Sequence, residues 1–280
     1  MKQVRTIAYG ITLGLMLSVG VEHFEGQKTI AASTEEGNLT LVANGEDFVR
    51  QGFISKDGWQ IDFAHLYVNI GEATAYSTES SFEPQKDDTK ESIIYEEKIT
   101  FLDTATTTDL AEGDASAAAI TVANQTVPSG FYNALAWKVT TADSDSFMAG
   151  NTMQLIGQAT KDGRTIDFNL GFNQPTEYVC GEFVGDIRQG FVEADSPGTV
   201  EMTFHFDHIF GDADAPPDDA LNQDALGFQP LASLADSGQI QLNDAELASQ
   251  LAPQDYQQLE KAIAGLGHVG EGHCVVTNSL

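Results

Sequence analysis

Two of the six histidines and a carboxylate fall within four residues of one another in Phe204-His205-Phe206-Asp207-His208-Ile209-Phe210-Gly211-Asp212. Imidazole and carboxylate are the ligands that zinc and copper(II) favour, three or four to an ion. The remaining candidates are scattered. His65 lies in an apolar run. His268, Glu271 and His273 lie in a glycine-rich ending, Gly265-Leu266-Gly267-His268-Val269-Gly270-Glu271-Gly272-His273-Cys274. Glycines allow such a segment to fold closely around an ion. One composite site would therefore draw His65, His205, Asp207 and His208 from strands and His268, Glu271 and His273 from the tail. Methionine is sparse, which disfavours copper(I). The acidic stretch Asp212–Asp219, with Asp212, Asp214, Asp218 and Asp219, offers oxygen ligands suited to calcium, although it lacks the glycine and glutamate of an EF-hand loop.

The elements that must position these residues read as β-strands. If the stretch 199–210 is one strand, alternation puts Phe204, Phe206, His208 and Phe210 on one face and His205 and Asp207 on the other. His205 and His208 then meet only if the strand ends or bulges between them. In 60–70, alternation groups Ile61, Phe63, His65 and Tyr67 on one face and Ala64, Leu66, Val68 and Ile70 on the other. Both faces are largely apolar, which makes the strand central and turns His65 toward a core. There it is either a ligand or a core residue with a hydrogen-bond partner.

Further strands are expected at 38–43, 93–102, 120–123, 131–139 and 178–184. The triplet Lys56-Asp57-Gly58 marks a hairpin turn and recurs as Lys161-Asp162-Gly163, each copy followed by Ile-Asp-Phe. The repeat is either a duplicated hairpin or a good turn used twice. The segments 104–117 and 77–92 read as connections. After Gly211 the pattern changes to an acidic, proline-containing loop and two short helices, 244–251 and 254–266. Many short strands with turn residues between them define an all-β, antiparallel β-sandwich with a short helical C-terminal segment. The expected organisation is a signal peptide at 1–32, a sandwich at 36–211, and 212–280 packed on it.

The strand entry Val127-Pro128-Ser129-Gly130-Phe131-Tyr132 and the FHFDHIFGD stretch at 204–212, with the N-terminal signal, resemble exported bacterial β-sandwich proteins. They are more distantly similar to the MbnP-like group, named for a periplasmic protein associated with the copper chelator methanobactin. That resemblance implies an exported sandwich and metal handling. The GLGHVGEGHC ending has no counterpart in that group, and no ligand assignment is carried across.

The net charge is −29 at pH 7, which argues against nucleic acid and anionic membrane surfaces as partners. Lys2 and Arg5 precede an apolar run to Val21, as in a secretory signal, with a retained N-terminal anchor as the alternative. His23 would leave with a cleaved signal. Cys180 and Cys274 are the only cysteines. In an exported chain one pair forms one disulfide, with metal thiolates as the minority reading. No haem attachment motif, nucleophile elbow, P-loop or His-Glu-x-x-His is present. The reading is a periplasmic or secreted protein that binds zinc or copper(II) as a carrier, scavenger or uptake accessory, partnered by an envelope transport or receptor protein. One alternative is a metal-free interaction module using Trp59, Trp137, Tyr67 or Tyr132. The other is a metal-assisted hydrolase with Asp207 or Glu271 as base.

Overall fold

Leu39, Leu41 and Ala43 alternate along the first strand, Glu36–Asn44, and are fully buried. That alternation fixes one face of a five-stranded sheet against the core. The computed structural model describes residues 35–84 and 89–278. The signal peptide expected at 1–32 and His23 lie outside them. Among the described residues no helix is long and apolar enough to cross a membrane.

The fold is predominantly β and sandwich-like. The first sheet runs, in spatial order, Gly272–His273, Gly267–Val269, Gly198–Phe204, Glu36–Asn44, Ile120–Pro128. The second has the spine Gln239–Asn243, Arg164–Phe172, Met153–Lys161, Gln60–Ser77, Ala134–Val139, Thr176–Cys180, Val275–Asn278. Three short strands, Phe53–Ile54, Glu97–Thr100 and Thr106–Asp109, pair with Gln60–Ser77. Most pairs are antiparallel. Two are parallel: Glu36–Asn44 with Gly198–Phe204, and Arg164–Phe172 with Gln239–Asn243. Leu39, Leu41, Trp137, Phe168, Tyr178 and Phe204 belong to one apolar core. Burying each large side chain stabilises the fold by roughly 1.5–3 kcal/mol. Trp59, Trp137 and Tyr132 are core residues at 2, 0 and 3% exposure. Of the four aromatics considered for a ligand face, only Tyr67 is partly exposed.

The residues after 211 are built into both sheets. They supply the strand Gln239–Asn243, the hairpin 267–273 and the last strand Val275–Asn278. Both Lys-Asp-Gly triplets close hairpins, but of different kinds. Lys161 pairs with Arg164, leaving Asp162 and Gly163 as a two-residue turn, both with positive φ (51° and 78°). Ile54 pairs with Gln60, leaving the longer loop 55–59. Lys56 of that loop donates its ammonium to the carbonyls of Asn222 and Ala225, tying down the short helix Ala220–Asp224.

The acidic loop folds around one buried amide. Asn222 Nδ2 donates to the carbonyls of Asp212, Ala215 and Pro216 at 2.8, 3.1 and 3.1 Å, and its Oδ1 accepts from the Asp212 N–H at 2.9 Å. Asp212 accepts from the Asp214 N–H, and Asp219 caps the helix by accepting from the Leu221 N–H. Asn222→Ala strips several backbone groups of their partner at once. It is expected to lower stability by about 3 kcal/mol, since each unsatisfied buried group costs ~1–3 kcal/mol. Urea denaturation checks this, and a loss under about 1 kcal/mol would show that water replaces the amide at little cost.

Candidate metal centre

The strand Gly198–Phe204 buries Val200, Met202 and Phe204 and then stops. Residues 207–210 form a single helical turn, closed by the Gly211 N–H on the Asp207 carbonyl at 2.6 Å. This change of backbone replaces the expected alternation. Phe206, Ile209 and Phe210 still enter the core, while His205, Asp207 and His208 come together. One ligand atom from each of these three lies within 4.8 Å of the others. Among the described residues this is the one such group of histidine, cysteine and acidic side chains, so the aspartates of 212–219 form none.

The glycine-rich ending adds two more rings. The hairpin Gly267–Val269 and Gly272–His273 joins the sheet beside the end of Gly198–Phe204, with Thr203 opposite His268 and His268 opposite His273. Pairing continues past the strand, the His205 N–H donating to the Leu266 carbonyl at 3.0 Å. Ring centroids are 4.3 Å apart for His205 and His268, 5.1 Å for His208 and His268, 5.5 Å for His205 and His208, and 5.0 Å for His268 and His273. Gly270 has positive φ (59°) at the hairpin turn, and its N–H donates to Thr203 Oγ1 at 2.8 Å. Glu271 is exposed at this turn, near enough to Glu46 to raise its pKa.

The hydrogen bonds settle which ring nitrogens are bare. His205 Nε2 faces the Gly270 carbonyl at 3.1 Å, His208 Nδ1 the Gly265 carbonyl at 3.3 Å, and His268 Nε2 the same carbonyl at 3.2 Å. A carbonyl only accepts, so each of these nitrogens carries the proton. In the neutral rings that leaves lone pairs on His205 Nδ1, His208 Nε2 and His268 Nδ1. Burial holds the His268 pKa down to about 3, reinforced by the other three imidazoles. Burial also lowers His208, against the pull of Asp207. His268 Nδ1 is buried without a hydrogen-bond partner, as is Asp207 Oδ1. Burial raises the Asp207 pKa.

Glu46 completes the cluster, and no motif or spacing in the sequence points to it. Its Oε2 lies 3.6 Å from His205 Nδ1, with Asp207 Oδ1 at 4.0 Å from the same nitrogen. Glu46 takes a positive φ of 63°, its N–H donating to Asn44 Oδ1 at 2.9 Å. A non-glycine residue in this region costs about 1 kcal/mol or more, here offset by that side-chain bond. Burial raises its pKa as well. A lone pair facing two carboxylates is mutually repulsive, and either a proton or a metal cation on His205 Nδ1 resolves it.

His65 is not part of the cluster, and the core-facing position expected for it is wrong. The pairing of Gln60–Ser77 with Met153–Lys161 slips between Phe63 and His65. This bulge exchanges the faces of the strand beyond it. Leu66, Val68 and Ile70 therefore point inward, and His65 is exposed, bonded through Nδ1 to Asp109 Oδ2 at 2.8 Å and stacked on Tyr67. Cys180 and Cys274 form the expected disulfide. It fixes the chain one residue beyond His273.

A cleft of about 420 Å³ opens beside the cluster, with His208, His268 and His273 among its lining residues. Asp224 and Lys261, paired at 2.9 Å and both largely exposed, flank it. Comparison of the chain with protein family models, with curated proteins and with solved structures finds no match.

Proposed function

We propose that the protein is an exported metal-binding protein that holds one divalent transition-metal ion, zinc or copper(II), as a carrier, scavenger or uptake accessory. His205, Asp207 and His208 are the central ligands, with His268 and Glu46 beside them and His273 and Glu271 further out. One observation carries the reading. Three clustered imidazoles each turn one ring nitrogen to a backbone carbonyl, which leaves His268 Nδ1 buried without a partner beside a buried Asp207 oxygen that also has none. A hydrogen bond from one ring nitrogen to a fixed carbonyl orients a histidine ligand and fixes its tautomer. Desolvation supports it further, since rings kept neutral need lose no proton to bind an ion.

The test is metal content of tag-free protein by elemental mass spectrometry, followed by titration with zinc and copper(II). About one equivalent is expected. His208→Ala should weaken binding by more than ~100-fold, beyond the ~10–100-fold typical of losing a residue that only orients a ligand. His65→Ala should leave it unchanged. If the protein neither contains nor takes up either metal, the proposal fails, and the cluster is a buried histidine–carboxylate network centred on His205.

A further inference from the structure

The cleft and the histidine cluster share the side chains of His208, His268 and His273. We infer that an ion held by the cluster keeps a coordination position open to a small monocarboxylate with an apolar body, seated in the cleft. This rests on the metal-binding reading above.

Structural zinc sites are closed by four protein ligands, whereas sites that bind a further molecule leave one position facing a cavity. Here His208, His268 and His273 line the cleft, while His205, Asp207 and Glu46, which lie beside one another, do not. An ion among these rings therefore meets the cleft on the side of His208 and His268. The volume, about 420 Å³, falls in the range of small-molecule sites, roughly 300–1,000 Å³. At about 30 Å³ per water-sized group it holds roughly a dozen non-hydrogen atoms.

The lining specifies the chemistry. Leu221, Ala262 and Val276 give apolar walls, and the polar side chains of the lining are the three imidazoles, Asp224 and Lys261. An apolar body would rest on those walls with a ligating head at the cluster. A divalent ion held by imidazoles with Asp207 as its one carboxylate ligand keeps a single positive charge, which an anionic head neutralises. The net charge of −29 opposes polyanions, which leaves a singly charged head as the best match.

The experiment uses the full-length exported chain loaded with cobalt(II), a spectroscopic stand-in for zinc, with benzoate as probe and benzyl alcohol as its neutral counterpart. Benzoate should shift the visible cobalt bands saturably, and benzyl alcohol should not. Leu221→Trp, which fills the cleft from a partly exposed position, should retain one equivalent of cobalt(II) and weaken benzoate at least tenfold. Val276→Phe, on another wall, provides the same readout should the first variant not fold. A loaded protein whose bands ignore benzoate overturns the inference and leaves metal binding intact. A benzoate shift insensitive to both wall variants also overturns it, because the ligand then reaches the ion by another route. Failure to take up cobalt(II), seen directly in elemental content, overturns the metal reading and this inference with it.

Discussion

Gly267→Ala is expected to lower stability by about 3 kcal/mol and to weaken metal binding by at least tenfold, although residue 267 has no side chain to offer a ligand. A Cβ on Gly267 would lie 2.5–2.6 Å from three atoms of the Tyr178 ring. That ring cannot yield. Tyr178 is fully buried, with Trp137 at a ring-centroid distance of 5.2 Å and Phe204 at 6.5 Å. Overpacking in a dense core costs ~1–3 kcal/mol and occasionally more. The element left to shift is the short hairpin 267–273, whose ladder with Gly198–Phe204 has two residue pairs, Thr203–His268 and Phe204–Gly267, and whose turn is bonded to Val184 and the Thr203 hydroxyl. Its displacement carries His268 away from His205 and His208, and misplacing one ring of a cluster costs ~10–100-fold in affinity. Gly265→Ala is the control within the same glycine-rich segment. Its added Cβ would meet nothing closer than 3.6 Å, so stability should change by less than about 0.5 kcal/mol. A double-mutant cycle with Tyr178→Leu separates the causes: the penalty at 267 should shrink when the ring is gone. If Gly267→Ala binds metal as tightly as the wild type, His268 does not belong to the site.

The same hairpin shows why some of this molecule is legible in its sequence and some is not. Local signals read well. Alternation located the first strand, the Lys-Asp-Gly triplets located two hairpins, and Pro253 marks the start of the helix Pro253–Ala264. The neighbouring helix Asp244–Gln250 has a reciprocal cap between Asn243 and Glu246 that agrees with its expected start. The histidine arrangement depends instead on events that leave no periodic trace. The strand ends at Phe204 although Phe206 and Phe210 keep an apolar alternation going, because both side chains reach the core from a helical turn. His65 leaves the core through one extra residue, and a bulge cannot be placed by counting apolar positions. Glu46 reaches His205 only because Glu36–Asn44 runs parallel to Gly198–Phe204, with Asn44 opposite Thr203. Such long-range pairing is not encoded in either segment alone. The strand Thr106–Asp109 falls in a segment that reads as a connection, because its threonines carry no apolar pattern, and in the structure only Thr108 is buried. It forms by pairing with the long strand Gln60–Ser77.

Replacing both cysteines, as Cys180→Ala/Cys274→Ala, should cost about 2–5 kcal/mol of stability and weaken metal binding far less than His208→Ala does. Cys180 and Cys274 are 94 residues apart in sequence, so the bond removes a large loop-closure entropy from the unfolded chain, worth roughly 4–5 kcal/mol in the chain-entropy account. That loop contains His205, Asp207, His208, His268 and His273, so the disulfide closes all of the cluster except Glu46 within one ring of chain. Its local effect is narrower. Cys274 joins the hairpin to the edge strand Val275–Asn278, which pairs only with Thr176–Cys180 among the described strands. Without the bond this edge should fray, loosening His273 and the Val276 wall of the cleft, while the Phe206 and Phe210 side chains still anchor the turn that carries His205, Asp207 and His208. Metal affinity should therefore fall by no more than about tenfold, and hydrogen exchange should accelerate first at 275–278. The reduced wild type should behave as the double variant does, which excludes an effect of the alanines themselves. A stability loss under about 1 kcal/mol would mean that the sheet alone fixes the last strand. A loss of affinity equal to that of His208→Ala would mean that His273, held by Cys274, is a central ligand and that the centre of the site lies at the cleft.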